Sequence, residues 1–253
     1  METLKVALLQ IEDRTNPYFD FCIQNNRVYC KKHNIDHIFL ETGPADICVY
    51  YWKVKVFLDL LNKTDYDIIC WMDSDAFVFN KSYDIRNFFK GISESMIIAP
   101  DPEKWPSPFM AAVYMARNNE NTKKIFQDWL KNYDPKRWKK NPNGSWVCMG
   151  KCQWAGEQYE QGSFVKHILP KYKSDIKSIK WYVFHEINCQ LPHKDCWSIH
   201  IPGPIKQRRP NCIVFEKTRQ QNISNTTILY SMTILVILLV ILLCYLYIKM
   251  KKS

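Results

Sequence analysis

The chain has 253 residues, 47% of them hydrophobic, with 35 lysines and arginines against 25 acidic side chains and a net charge of +10. That surplus suits an anionic ligand or an anionic membrane surface. It comes without a nucleic-acid-binding motif, so nucleic acid is not an expected partner.

In chain order, residues 5–11 read as a first strand, and residues 16–33 as a helix opened by Asn16-Pro17. Residues 36–40 form a short strand. Residues 51–61 repeat apolar positions at helical spacing (Val54, Phe57, Leu58, Leu61). The apolar run 68–79 follows as a buried strand. Strand, helix, strand, helix, strand in this order predicts an α/β domain with a doubly wound, mostly parallel sheet and right-handed crossovers. Further strands are expected at 96–99 and 111–116, and a helix at 121–132. Residues 138–155 are expected as a long irregular insertion. A helix at 157–169, a strand at 179–184 and a short strand at 198–201 complete the domain, 1–206.

Two carboxylates interrupt the apolar run, Asp73 and Asp75. A bare carboxylate among apolar neighbours is costly, and two close together resist joint ionisation. The economical arrangement ends the strand near Met72 and turns both acids towards a divalent cation. In parallel sheets, ligands bind beyond the carboxyl ends of the strands, where these acids would lie. Far along the chain, Ser198-Ile199-His200-Ile201-Pro202-Gly203-Pro204-Ile205-Lys206 offers an imidazole ligand in His200. The same segment offers a glycine that lets a bound group approach (Gly203) and a cation for a phosphate (Lys206).

Beyond a polar linker at 207–227, residues 228–248 are almost wholly apolar and long enough to cross a bilayer as a helix. A basic tail, 249–253, follows. The N-terminal apolar stretch is short, and Glu12, Asp13 and Arg14 follow at once, so it reads as a strand and not as a signal peptide. The expected layout is a single-pass membrane protein with a C-terminal anchor and its body in the cytosol. The terminal lysines pull the other way, because they favour a cytoplasmic tail, and a luminal (ER/Golgi) body stays open. In that case the sequons at Asn62, Asn80, Asn143, Asn222 and Asn225 matter. Ten cysteines allow core thiols or disulfides, with pairs at Cys148/Cys152 and Cys189/Cys196; their spacing does not suit zinc.

Four segments resemble glycosyltransferases. Trp52-Lys53 with Trp71-Met72-Asp73-Ser74-Asp75-Ala76 resembles the WxK…WxDxDA region of glycosyltransferase family 34, whose galactosyl-, mannosyl- and xylosyltransferases have the GT-A fold. Ala112-Val113-Tyr114-Met115-Ala116-Arg117-Asn118 is similar to that family's G-V-x-L-x-R-N strand, and Tyr159-Glu160-Gln161-Gly162 to its D/E-Q motif. The segment from His200 to Lys206 resembles the HxxGxxK motif of the retaining family 8 enzymes. The resemblance implies a metal-dependent, retaining glycosyltransferase moving a hexose or pentose from a nucleotide-diphosphate sugar, UDP-sugar ahead of GDP-sugar, to a glycan or glycoprotein acceptor. It implies Mn²⁺ (or Mg²⁺) on Asp73, Asp75 and His200. Lys53 and Lys206 would then sit near the diphosphate, with Glu160 and Gln161 near the donor sugar. Glu160 is the nucleophile if a covalent step exists. Gln10 and Glu12 would flank the base, and Tyr18 would either stack on it or belong to the core.

One departure stands out. The family has Asn-Ser/Thr-Gly where this chain has Met110-Ala111-Ala112, so an amide that would contact the donor sugar is missing. The alternative is therefore a catalytically weak nucleotide-sugar- or glycan-binding protein of the same fold. In the insertion, Trp146 and Trp154 read equally as acceptor-stacking surfaces or as lid packing. The basic cluster at 136–140 reads as a solvated loop, with a membrane- or acceptor-facing loop second.

Overall fold

The computed structural model describes residues 4–103, 105 and 107–252. The chain divides into two compact units, Met1–Lys206 and Gln207–Ser253. In the first unit, β1 (Val6–Ile11) is followed by α1 (Pro17–His33), β2 (Asp36–Leu40), α2 (Val49–Lys63) and β3 (Ile68–Met72). The Asn16 side chain caps α1 by accepting from the Tyr18 N–H, with proline in the first turn. Asn34 ends the helix in the left-handed conformation at φ 52°.

Next come the short β4 (Ala76–Val78), then β5 (Met96–Ile98), β6 (Val113–Arg117) and α3 (Glu120–Lys131). The remaining elements of this unit are β7 (Trp138–Lys140), β8 (Trp146–Cys148), α4 (Glu160–Ser163), β9 (Ile176–Ser178), α5 (Trp181–Phe184) and β10 (Ser198–His200). The main sheet runs β2-β1-β3-β6-β5-β9. β1 pairs in parallel with β2 and β3, and β5 with β9, whereas β6 is antiparallel to both its neighbours. The expected α/β, largely parallel sheet is thus present, with one reversed strand at its centre. β1 and β3 are buried throughout, which is why they read as unbroken apolar runs.

Both faces of the sheet are covered. One core joins Tyr51, Phe57 and Leu61 of α2 to Phe126 and Trp129 of α3, with Trp71 and Tyr114 from the sheet between them. The other gathers Tyr29, Ile85, Phe89, Phe184 and Trp197.

Four expectations about local structure are corrected. Residues 179–184 are not a strand. The place beside β5 is taken by β9, and the following segment turns into α5, burying Phe184 against Phe88 and Trp197. The insertion is less irregular than expected, because β7 and β8 form a hairpin and a Cys148–Cys152 disulfide closes its end. Cys189 is disulfide-bonded whereas Cys196 is a buried thiol outside any disulfide, so Cys189 and Cys196 do not pair. The helix expected at 157–169 begins at Glu160 and passes into a π-turn over Phe164–Ile168.

The second unit is one helix, α6 (Arg209–Lys252), so the polar stretch expected as a linker is helical from Arg209. α6 carries a segment long and apolar enough to cross a membrane, and its apolar side chains, such as Leu235 and Leu238, are exposed. The side chains of Tyr245, Tyr247 and the tail lysines lie outside the described residues.

Candidate metal and donor-sugar site

β3 ends at Met72, and the chain turns sharply there. Asp73 N–H donates to the Ala112 carbonyl (2.7 Å), and Ala76 N–H donates back to the Asp73 carbonyl (3.0 Å). The turn lifts Asp73 and Asp75 off the carboxyl edge of the sheet. β4 leaves it and pairs antiparallel with β10, in a register that sets His200 opposite Ala76. Ile201 N–H donates to the Asp75 carbonyl at 3.3 Å. By this route a histidine 125 positions after Asp75 arrives beside it, Nε2 to Oδ1 at 3.2 Å.

Asp73, Asp75 and His200 each offer a donor atom within 4.8 Å of the others, the one such group of acid, histidine or cysteine side chains among the described residues. An octahedral cation with ligands at about 2.0–2.1 Å holds adjacent donors roughly 3 Å apart, so the Asp75–His200 spacing fits. Two carboxylates and an imidazole suit Mn²⁺ or Mg²⁺ in character.

Asp73 is held from behind. Its Oδ1 accepts from Lys53 Nζ (2.8 Å) and Trp71 Nε1 (2.7 Å), leaving Oδ2 for a cation. Lys53 is 8% exposed; its Nζ also donates to the Ala111 carbonyl (3.1 Å) and lies 3.4 Å from Glu160 Oε1. Burial pulls the Lys53 ammonium down, but the two carboxylates outweigh it and leave its pKa raised. Burial pushes Asp73 and Glu160 up, against the opposing pull of Lys53. Asp73 keeps 28% of its side chain open to solvent, which tempers the effect there.

Glu160 is buried at the start of α4, and its carbonyl accepts from Trp129 Nε1 (2.8 Å). Gln161 Oε1 accepts from Ala111 N–H (3.1 Å), and its Nε2 donates to Asp101 Oδ2 (3.0 Å). Asp101 was missed by sequence reasoning. Burial lifts its pKa to about 6, partly offset by the Gln161 hydrogen bond. It lies in the loop Ala99-Pro100-Asp101-Pro102, where an acid looks like an ordinary turn residue. Behind His200 lies a second fully buried imidazole, His185, with ring centroids 6.0 Å apart; burial holds His185 neutral.

The expected nucleotide-side residues are placed as follows. Gln10 is buried, donating to the Asp73 carbonyl (3.3 Å) and meeting His37 Nε2 through Oε1 (2.9 Å). The Glu12 carboxylate accepts from the Ser74 hydroxyl and from Arg14 Nε (2.7 Å) and Nη2 (2.9 Å), which ties the end of β1 to the Asp73–Asp75 turn. Tyr18 is buried in the core beside Phe21. Gly203 and Lys206 are exposed in the 3₁₀ turn Gly203–Arg208 after β10. The structure thus joins Lys53, Asp73, Asp75, Glu160 and His200 into one cluster, with Gln10, Glu12 and Gln161 bonded to its borders. Tyr18, Gly203 and Lys206 are not members of that cluster as drawn from the described residues.

Residues 5–99 match the family model of the galactosyl transferase GMA12/MNN10 family. No curated protein matches the chain by sequence. Among solved structures, a glycosyltransferase involved in the glycosylation of the major capsid of PBCV-1 superposes with a TM-score of 0.63 at 15% identity, over 82% of this chain and 98% of that one. The glycosyltransferase GlyE of Streptococcus pneumoniae TIGR4 is a weaker likeness, with a TM-score of 0.41 at 12% identity, over 71% of this chain and 46% of its own. The fold assignment rests on the first of these. The chain is a protein of the glycosyltransferase fold, resembling the galactosyl transferase GMA12/MNN10 family over residues 5–99.

Proposed function

We propose that the protein is a membrane-anchored, metal-dependent, retaining glycosyltransferase. Its donor is a nucleoside-diphosphate sugar, UDP-linked ahead of GDP-linked, carrying a hexose or pentose. Its acceptor is a glycan or glycoprotein. The observation that carries the reading is the convergence of Asp73, Asp75 and His200 at the carboxyl edge of β3, where a ligand of an open parallel sheet binds.

A bound Mn²⁺ or Mg²⁺ would supply charge to the leaving diphosphate. The chain's own residues prepare the rest. Lys53 fixes Asp73 and Glu160 in one buried ion-paired row, so neither carboxylate has to reorganise when a donor arrives. Gln161 links Asp101 to Ala111, in the segment where the expected amide is absent, and so offers a carboxylate for the donor sugar there. Glu160 takes the nucleophile's role if the reaction runs through a glycosyl-enzyme. Lys206 adds positive charge after β10. α6 serves as the anchor.

One observation favours a second reading, a nucleotide-sugar-binding protein with little turnover. Both ends of the Gln161 amide are already engaged, by Asp101 and by the Ala111 N–H. Release of UDP or GDP from a panel of nucleotide sugars with Mn²⁺ separates the two. Asp75→Ala and His200→Ala are each expected to abolish metal-dependent release while leaving the melting temperature within a few degrees of wild type. Full wild-type activity in excess chelator would overturn metal dependence. Metal-dependent binding of a donor without release would favour the second reading.

A further inference from the structure

Trp154 is 70% exposed, yet its ring is not loose. It meets Tyr50 edge-on (centroids 5.6 Å, 79°) and Tyr159 at 5.1 Å. Tyr50 and Tyr159 meet each other at 4.8 Å, and Trp138 meets both, at 5.3 Å and 5.0 Å. All of these lie within the range of favourable aromatic pairs. The cluster has a buried root, Trp138, and an open tip, Trp154.

The backbone that carries the tip is stapled. The Cys148–Cys152 disulfide closes one side, and Gly156 N–H donates to the Gln153 carbonyl across the turn (2.9 Å). Tyr159 N–H then donates to the Gly156 carbonyl (2.9 Å). Trp146, the other tryptophan of this insertion, is half-buried with Lys140 over its ring at 5.9 Å, so it does not share the role.

The position of the cluster is the second observation. Tyr159 directly precedes Glu160, and Tyr50 stands three residues before Lys53, on the same face of α2. Glu160 and Lys53 are the ion pair behind Asp73. The exposed aromatic surface therefore opens one residue and one helical turn from the candidate donor site.

We propose that Trp154, backed by Tyr50, Trp138 and Tyr159, is a docking platform for a pyranose ring of a saccharide acceptor. An indole face carries negative quadrupolar potential and matches the apolar C–H face of a sugar ring. A platform ordered before binding loses little entropy on capture. The proposal deepens the donor-site reading above, since only beside that site does a bound saccharide become an acceptor. The neighbouring hairpin also exposes Lys139, Lys140, Val147 and Met149, features that a bilayer surface would use. The continuity of the rings with Glu160 favours the saccharide.

The test uses the full chain in a non-glycosidic detergent, titrated with mannotriose, xylotriose and galactotriose by calorimetry and tryptophan fluorescence. At least one trisaccharide is expected to bind. Trp154→Ala should weaken it by about tenfold or more, and Trp154→Phe by no more than about threefold, with unchanged far-ultraviolet circular dichroism in both. Equal affinity in Trp154→Ala would overturn the platform. So would failure of all three sugars to bind the wild type, including the case in which brominated lipids in nanodiscs quench Trp154. Mn²⁺-dependent binding of UDP and GDP to the wild type is measured in parallel. Its absence beside Trp154-dependent sugar binding would fell the donor reading alone, and its presence without sugar binding would fell the platform alone.

Discussion

Lys53 shows how one side chain organises the site. Alone among the described basic residues it is buried between two carboxylates, each of which would be expensive without it. Asp73 and Asp75 were legible in the sequence because two acids in an apolar run demand an explanation. Lys53 was legible only through the resemblance, since a lysine on an amphipathic helix ordinarily reaches solvent. Asp101 was not legible, because its burial is created by distant residues folding over a proline-rich loop. Its altered titration gives a pH signature. The free carboxyl titrates near 3.8 and the folded one at about 6, so between those values the folded protein binds more protons than the unfolded chain. Stability must then fall as pH rises through that window. Chemical denaturation from about pH 4 to pH 7 should show this slope in the wild type and a flatter one in Asp101→Asn.

At the level of elements, hydrophobic periodicity revealed the long pieces. β1, α1, β2, α2 and β3 have repeats that the eye can follow. Two of the short pieces hid. β4 and β9 have three residues each, too few for a period to show, and exist because a partner strand is waiting, whereas β10 matches the short strand expected at 198–201. α5 hid for the opposite reason: Trp181, Tyr182, Val183 and Phe184 favour strands by propensity, and tertiary packing of Phe184 overrode it. The most exacting junction is where the insertion loop meets α4. A Cβ on Gly162 would lie 2.2 Å from the Gly156 carbonyl oxygen and 2.3 Å from that of Ala155, both backbone atoms that cannot rotate aside. Gly162→Ala should therefore displace α4, which carries Glu160 and Gln161. We expect a loss of about 1–3 kcal/mol in urea unfolding, together with a fall in donor turnover larger than the lost stability explains. An unchanged unfolding midpoint would show that the loop gives way easily.

For the whole molecule, the division into Met1–Lys206 and Gln207–Ser253 assigns the candidate chemistry to one unit and the long apolar helix to the other. Every residue of the metal cluster belongs to the first unit, and the long apolar segment to the second. The candidate membrane span was plain in the sequence, because an uninterrupted apolar run needs no fold to interpret it; the helicity of the polar residues before it was not. The full chain should stay with membranes through alkaline carbonate extraction, and appearance in the soluble fraction would exclude α6 as an integral anchor.

The pairing of β10 with β4 has a consequence for synthesis. A nascent chain that has emerged only as far as α4 already contains both aspartates of the turn, and β1 and β3 can already lie side by side. The imidazole that completes the triad has not yet been made. The proposed cation site is therefore completed only when the last strand of the domain closes a loop of more than a hundred residues onto β4. Lys53, on α2, is by then already made and able to pair with Asp73 as it does in the finished fold. A chain interrupted before residue 198 would keep its aspartates and lack the third donor of the proposed site. In this architecture the proposed ion site exists only once the domain is complete.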